Sequence, residues 1–163
     1  QVNEMSRQQK PTNLESARTV ALLYYLPDEA TYHIAEAILS KLTRMNLKVR
    51  VVCYTDLKIS PHYFIPKISQ DIITVKDVNL LYQPQKPFVK EFIATEFDIL
   101  IDLSLNNYLP LLYCAALSKA GLKVGRFEDD HELYYDLMIQ AGQDETVDSF
   151  ANQVIHYLSR INN

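Results

Sequence analysis

One short stretch of this sequence gathers the residue types that hold small anions and sugars. Ser104, Asn106 and Asn107 follow the run Ile99-Leu100-Ile101-Asp102, and Arg126 closes a second run, Leu122-Lys123-Val124-Gly125. A hydroxyl, two carboxamides and a guanidinium, set beside a helix N-terminus, can bind phosphate or sugar oxygens. Ser104, Asn106, Asn107 and Arg126 are therefore the candidate ligand-binding residues. Asp102 would bond a sugar hydroxyl or turn away, because a carboxylate facing an anion repels it. The same residues also have an architectural reading. Ser104 and Asn107 could cap the next helix, while Arg126 pairs with the acidic run Glu128-Asp129-Asp130-His131-Glu132. Local bonds of this kind are the usual work of such residues at element ends, and the sequence favours that account.

Other chemistry finds little support. The chain has three glycines, Gly121, Gly125 and Gly142. A dinucleotide fingerprint or a phosphate-binding loop needs several in the first strand-to-helix turn. Here that turn is Tyr25-Leu26-Pro27-Asp28-Glu29, in which proline removes an N–H donor and two carboxylates repel an anion. The four histidines, His33, His62, His131 and His156, lack metal-ligand spacing, and the acidic run lacks the ordered spacing of a calcium loop. Ser104 has no nucleophile-elbow context, and neither Asp56 nor His62 has a partner fixed by spacing. No catalytic residue, metal or cofactor is expected.

Charge narrows the range of partners. After Arg126 there are eight acidic residues and only Arg160 to oppose them, a net −7 against +3 for residues 1–126. Nucleic-acid binding needs clustered Lys or Arg, which this distribution does not supply. The longest apolar run, Val20 to Leu26, is too short to span a bilayer, and no secretory signal is visible. The expectation is an ordinary soluble protein that binds neither nucleic acid nor membrane. Partners are otherwise open: a small anionic or sugar ligand and a protein partner are both compatible, with Tyr134-Tyr135 a candidate partner surface. Cys53 and Cys114 sit in apolar surroundings and read as buried, reduced thiols of a cytoplasmic protein. The chain begins at Gln1 rather than methionine, which leaves open whether an original N-terminus was removed.

The elements that must position the candidate residues follow from hydrophobic pattern. Ile99-Leu100-Ile101 is apolar without alternation, as in a strand covered on both faces. The segment Leu109 to Leu117 is apolar almost all round and predicts a buried helix, started by Asn106 or Asn107 as cap and Pro110 in the first turn. Gly121 is expected to end it in a left-handed conformation, before a parallel return strand to Arg126. This βαβ unit places Ile99, Ile101, Leu103, Ala115, Ala116 and Val124 in the core.

The rest of the chain repeats the alternation. Strands are expected at residues 19–25, 49–54, 71–75 and 134–139. Helices are expected from Pro27 to about Asn46, from Phe88 to Glu96, and after a cap at Asp144 or Thr146. Residues 1–17 form a polar lead-in, loose or helical, and residues 18–163 a single α/β domain. The fold class is α/β, three layers, with a mostly parallel open sheet of five or six strands in Rossmann-like order, beginning 3-2-1-4-5.

Several stretches carry a resemblance: Glu96-Phe97-Asp98-Ile99-Leu100-Ile101-Asp102-Leu103-Ser104, Lys123-Val124-Gly125-Arg126, Tyr135-Asp136-Leu137-Met138-Ile139 and Gln153-Val154-Ile155-His156-Tyr157-Leu158. With Ala116-Leu117-Ser118-Lys119-Ala120, they resemble a family of short, uncharacterised bacterial proteins, a domain of unknown function, over residues 18–162. More loosely, the order strand, Asp, helix, Lys-Val-Gly-Arg is similar to the acceptor half of heptosyltransferase-type glycosyltransferases. Those enzymes bind the nucleotide-sugar on a second α/β domain, and a single one is expected in these 163 residues, so the likeness implies fold and not transferase activity. The functional expectation is a non-enzymatic binding or interaction module of the bacterial cytoplasm. The alternative is a small enzyme, or partner of one, acting on a sugar or phosphorylated metabolite at the Asp102–Asn107 turn.

Overall fold

Alternating side chains of the central strand divide the interior in two. In the computed structural model, which describes residues 7–10 and 12–161, β1 (Thr19–Tyr25) sends Val20, Leu22 and Tyr24 to one face and Ala21 and Leu23 to the other. All five are buried because helices cover both faces. The remaining strands are β2 (Lys48–Tyr54), β3 (Gln70–Ile73), β4 (Ile99–Asp102), β5 (Leu122–Arg126) and β6 (Leu137–Ile139). They form one sheet in the order β3-β2-β1-β4-β5-β6, with every strand pairing parallel. The expected 3-2-1-4-5 order thus holds, extended by β6.

Helices α1 (Glu29–Arg44) and α4 (Val147–Leu158) pack on the face that carries Val20 and Leu22, while α2 (Pro87–Ala94) and α3 (Leu109–Leu117) cover the other. Helix α1 starts where Asp28 Oδ1 accepts the Thr31 N–H at 2.8 Å, and burying Tyr32, Ala35, Ile38 and Leu42 fixes its inner face. Thr146 caps α4 by accepting the Ser149 N–H. Both thiols are free and buried, and burial pushes each up to about 12. Among the described residues no helix is long and apolar enough to cross a membrane.

Two local expectations change, and a third narrows to one of its alternatives. Gly121 does not end α3: the helix stops at Leu117, and no glycine has a positive φ. Gly121 instead lies beneath the lead-in, its carbonyl accepting the Lys10 N–H at 2.9 Å. Ala116 is half-buried rather than core, because it faces a surface groove, whereas the other five core residues named above are buried. The described part of the lead-in holds a turn at residues 14–16 and no helix, with Leu14 buried and its N–H bonded to Leu158 O. Arg7 fastens the same segment to the residue before β6, with two 2.6 Å bonds to the Asp136 carboxylate.

Candidate functional site

Parallel pairing brings the ends of β4 and β5 to one edge of the sheet, so the turn after Asp102 and the segment after Arg126 meet there. Asp102 itself is buried, 1% exposed, at the last position of β4. Its carboxylate accepts the Tyr135 O–H at 2.6 Å and the Ser104 N–H at 3.0 Å. Burial raises the Asp102 pKa, and the bonds from Ser104 and Tyr135, with the His131 charge, offset only part of that rise. The Tyr135 ring reaches the carboxylate by lying flat against Gly125, where a Cβ atom would come within 2.5 Å of it. That close approach is the reason for a glycine inside β5.

One layer outward, Arg126 Nη2 donates to Asn107 Oδ1 at 3.1 Å and to Glu128 Oε2 at 2.8 Å. The guanidinium holds the Glu128 carboxyl below its ordinary range. His131, 4% exposed, completes the cluster: Nε2 lies 3.0 Å from Asn107 Oδ1 and 3.1 Å from Glu128 Oε2, and Nδ1 lies 3.1 Å from Arg126 O. Two layers thus cross-tie the ends of β4 and β5. The inner one is held by hydrogen bonds and the outer one by an ion pair as well.

Of the four candidate residues, Asn107 and Arg126 touch directly, Ser104 lies beneath them, and Asn106 is exposed and outside the network. Neither asparagine caps α3. Its N-cap is Tyr108, with no side-chain bond, because Asn107 Oδ1 is already engaged by Arg126 and His131. The helix start also has few donors to offer: Pro110 has no N–H, and the Leu111 and Leu112 N–H groups both bond Tyr108 O at 3.0 Å. Among the described residues, two of the buried polar atoms without a hydrogen-bond partner belong to this end, Ser104 Oγ and Arg126 Nε. Ser104 Oγ stands near the Asp102 carboxylate without hydrogen-bond geometry.

Tyr135 and His131 are site residues that sequence reasoning missed. The tyrosine pair expected as a surface is split: Tyr135 is buried on Asp102, and Tyr134 lines a groove of about 460 Å³ with Tyr82, Leu109, Leu112 and Tyr113. Gly125 was the one available signal, since a glycine inside a strand marks close approach. Among the described residues no group of three or more His, Cys, Asp or Glu stands where it could hold a metal ion.

The architecture has solved counterparts. The structure of E. coli heptosyltransferase WaaC with ADP matches at TM-score 0.51 and 11% identity, covering 87% of this chain and 48% of that one. The same enzyme with ADP-2-deoxy-2-fluoro heptose matches at TM-score 0.45 and 14% identity, covering 85% and 48%. The chain spans about half the length of that enzyme, and the likeness is one of fold. No curated protein matches the chain. Its sequence does fit one family model, over residues 1–161, and the chain belongs to that family, DUF6913, a family of unknown function.

Proposed function

We propose that the chain is a non-enzymatic binding or interaction module of the cytoplasm. The observation that carries this reading is the closure of the β4–β5 end. Asp102 is buried under Tyr135, Arg126 is tied to Asn107 and Glu128, and His131 faces Asn107, Glu128 and the Arg126 carbonyl. An acid, base or nucleophile must reach a reacting atom at hydrogen-bond distance, and these groups reach one another. Two buried free thiols suit a reducing compartment.

A second reading keeps a small enzyme, or a partner of one, acting on a sugar or phosphorylated metabolite at the Ser104, Asn106, Asn107 and Arg126 turn. Its support is the pair of unpartnered buried atoms, Ser104 Oγ and Arg126 Nε, at the place where such a ligand would sit. The heptosyltransferase likeness supplies ADP and an ADP-heptose analogue as first probes. Incubating the protein with ADP, ADP-sugars and sugar phosphates, followed by phosphorus NMR, separates the two readings. The module reading expects every probe to be recovered intact. Turnover that disappears in Arg126→Ala and in His131→Ala would overturn it.

A further inference from the structure

The ends of β1 and β2 differ in chemistry from the end just described. Tyr25, the last residue of β1, donates its O–H to Asp56 Oδ2, and Tyr54 ends β2 beside it, ring centroids 6.2 Å apart. Tyr108, from the turn after β4, packs edge-on against Tyr25 at 4.0 Å and lies 6.4 Å from Tyr54. Tyr82, which lines the groove over α3, is within electrostatic reach of Tyr54. It is 50% exposed and held at φ 59°, a backbone conformation that tyrosine rarely adopts. The Asn79 side chain pins that turn by accepting the Leu81 and Gln83 N–H groups at 2.9 and 3.0 Å. Ring contacts join Tyr25, Tyr54 and Tyr108, and the Tyr54 pKa is raised by burial most, then by the charge and hydrogen bond of Asp56, then by Tyr82.

Asp56 is exposed and has no ion pair among the described residues, unlike Asp71, Asp77, Asp136 and Glu128. A carboxylate without a counter-ion, beside a cluster of tyrosine rings, attracts positive charge. The ring quadrupole and the carboxylate act with the same sign. Anions are repelled there. A hydrated metal ion would want more oxygen ligands than one carboxylate supplies. A weakly hydrated cation with apolar substituents satisfies both the rings and the charge.

We propose that Tyr25, Tyr54, Tyr82, Tyr108 and Asp56 form a binding site for an organic cation of the alkylated-ammonium class. The site lies at the point where the strand order reverses between β1 and β4, the place where open α/β sheets bind ligands. It borrows Tyr108 from the turn after β4 but uses none of Ser104, Asn106, Asn107 and Arg126, so its failure leaves the reading of those residues untouched.

The test is an NMR titration of the protein, with labelled tyrosine rings, against tetramethylammonium chloride at constant ionic strength. The expected result is saturable shifts of the Tyr25, Tyr54, Tyr82 and Tyr108 ring signals, with ring-current shifts of the ligand methyl groups. Asp56→Asn should weaken binding about tenfold, the effect of losing one partly screened charge contact. Tyr82→Ala, an exposed change, should weaken it too, while Arg126→Ala should leave it unchanged. Choline and a trimethyllysine tripeptide, run in parallel, distinguish a free small cation from a peptide side chain. Saturable binding of either that Asp56→Asn weakens supports the site. An absence of saturable shifts with all three cations, equal shifts with neutral tert-butanol, or undiminished binding by Asp56→Asn would overturn it.

Discussion

Two aspartates sit at strand ends on the same edge of this sheet, Asp102 closing β4 and Asp56 two residues past β2, and they have opposite surroundings. Asp102 is fully buried, bonded by Tyr135 and Ser104, and covered by the Arg126–Glu128–His131 layer. Asp56 is exposed, accepts the Tyr25 O–H, and has no ion pair among the described residues. At the β4–β5 end the chain answers its own charges, and the result is a cross-tie between strands. At the β1–β2 end the charge is left unanswered and the aromatic faces stay partly open. Polarity alone therefore does not mark a binding site. The informative quantity is how much of that polarity the protein has already satisfied.

The largest test strikes the closed end. Gly125→Ala would place a methyl group 2.5 Å from the Tyr135 ring, a side chain buried on Asp102. The ring cannot swing aside without leaving the carboxylate a bond short. Overpacking and a weakened buried hydrogen bond together should cost about 3 kcal/mol in denaturant melts. A loss below about 0.5 kcal/mol, the level of a surface change, would mean that the cross-tie is loose and the contrast between the two ends is weak.

Gly125 also shows where the sequence was legible. The strands were, because Val20 to Tyr24 and Ile99 to Ile101 are continuous apolar runs, and a sheet covered on both faces imposes that pattern. The inner face of α3 was legible for the same reason, whereas its outer face, with Leu109 and Ala116, lines a groove. The closed end was not. Asp102 lies in Ile-Asp-Leu-Ser, which reads as a polar strand end, and only Tyr135, 33 residues later, makes it an interior residue. Asn107 looks like a helix cap until Arg126 and His131, 19 and 24 residues away, take its oxygen. Leu14 is one apolar residue in a polar lead-in, and its burial depends on α4, at the other end of the sequence. Local pattern fixes elements. Partners distant in sequence decide which polar residues remain available.

The middle test uses pH. Burial gives Asp102 a folded-state pKa above its unfolded value of about 4. Between those two values the folded chain holds a proton that the unfolded chain has released, so this group's contribution to stability falls as pH rises through the window. Asp102→Asn keeps a neutral acceptor for Tyr135 but sets an amide N–H₂ against a donor, a penalty of about 1–3 kcal/mol at pH 4. The variant should recover part of that deficit between pH 4 and pH 8, since the wild type alone must charge a buried carboxyl. Asp98 and Asp136, whose pKa values are lowered, lose stability at acid pH in both proteins and cancel in the difference. A flat difference across that range would remove the burial argument for Asp102.

The smallest test completes the contrast. Asp56→Asn should change stability by no more than about 0.5 kcal/mol, the usual span for an exposed position without a partner charge. Its effect should appear in Tyr25 instead. Burial, the hydrogen bond to Asp56 and the Asp56 charge all raise the Tyr25 pKa, and two of these three depend on the carboxylate. Tyrosinate absorbance in alkaline titration should therefore show Tyr25 ionising at lower pH in the variant, although the protein melts unchanged. The sign follows from charge: a carboxylate opposes a second negative charge beside it, and a carboxamide does not. If Asp56→Asn instead destabilises the fold as much as Asp102→Asn does, then both ends are cross-ties. The open charge at Asp56 would then be holding β1 to the loop after β2 rather than facing a ligand.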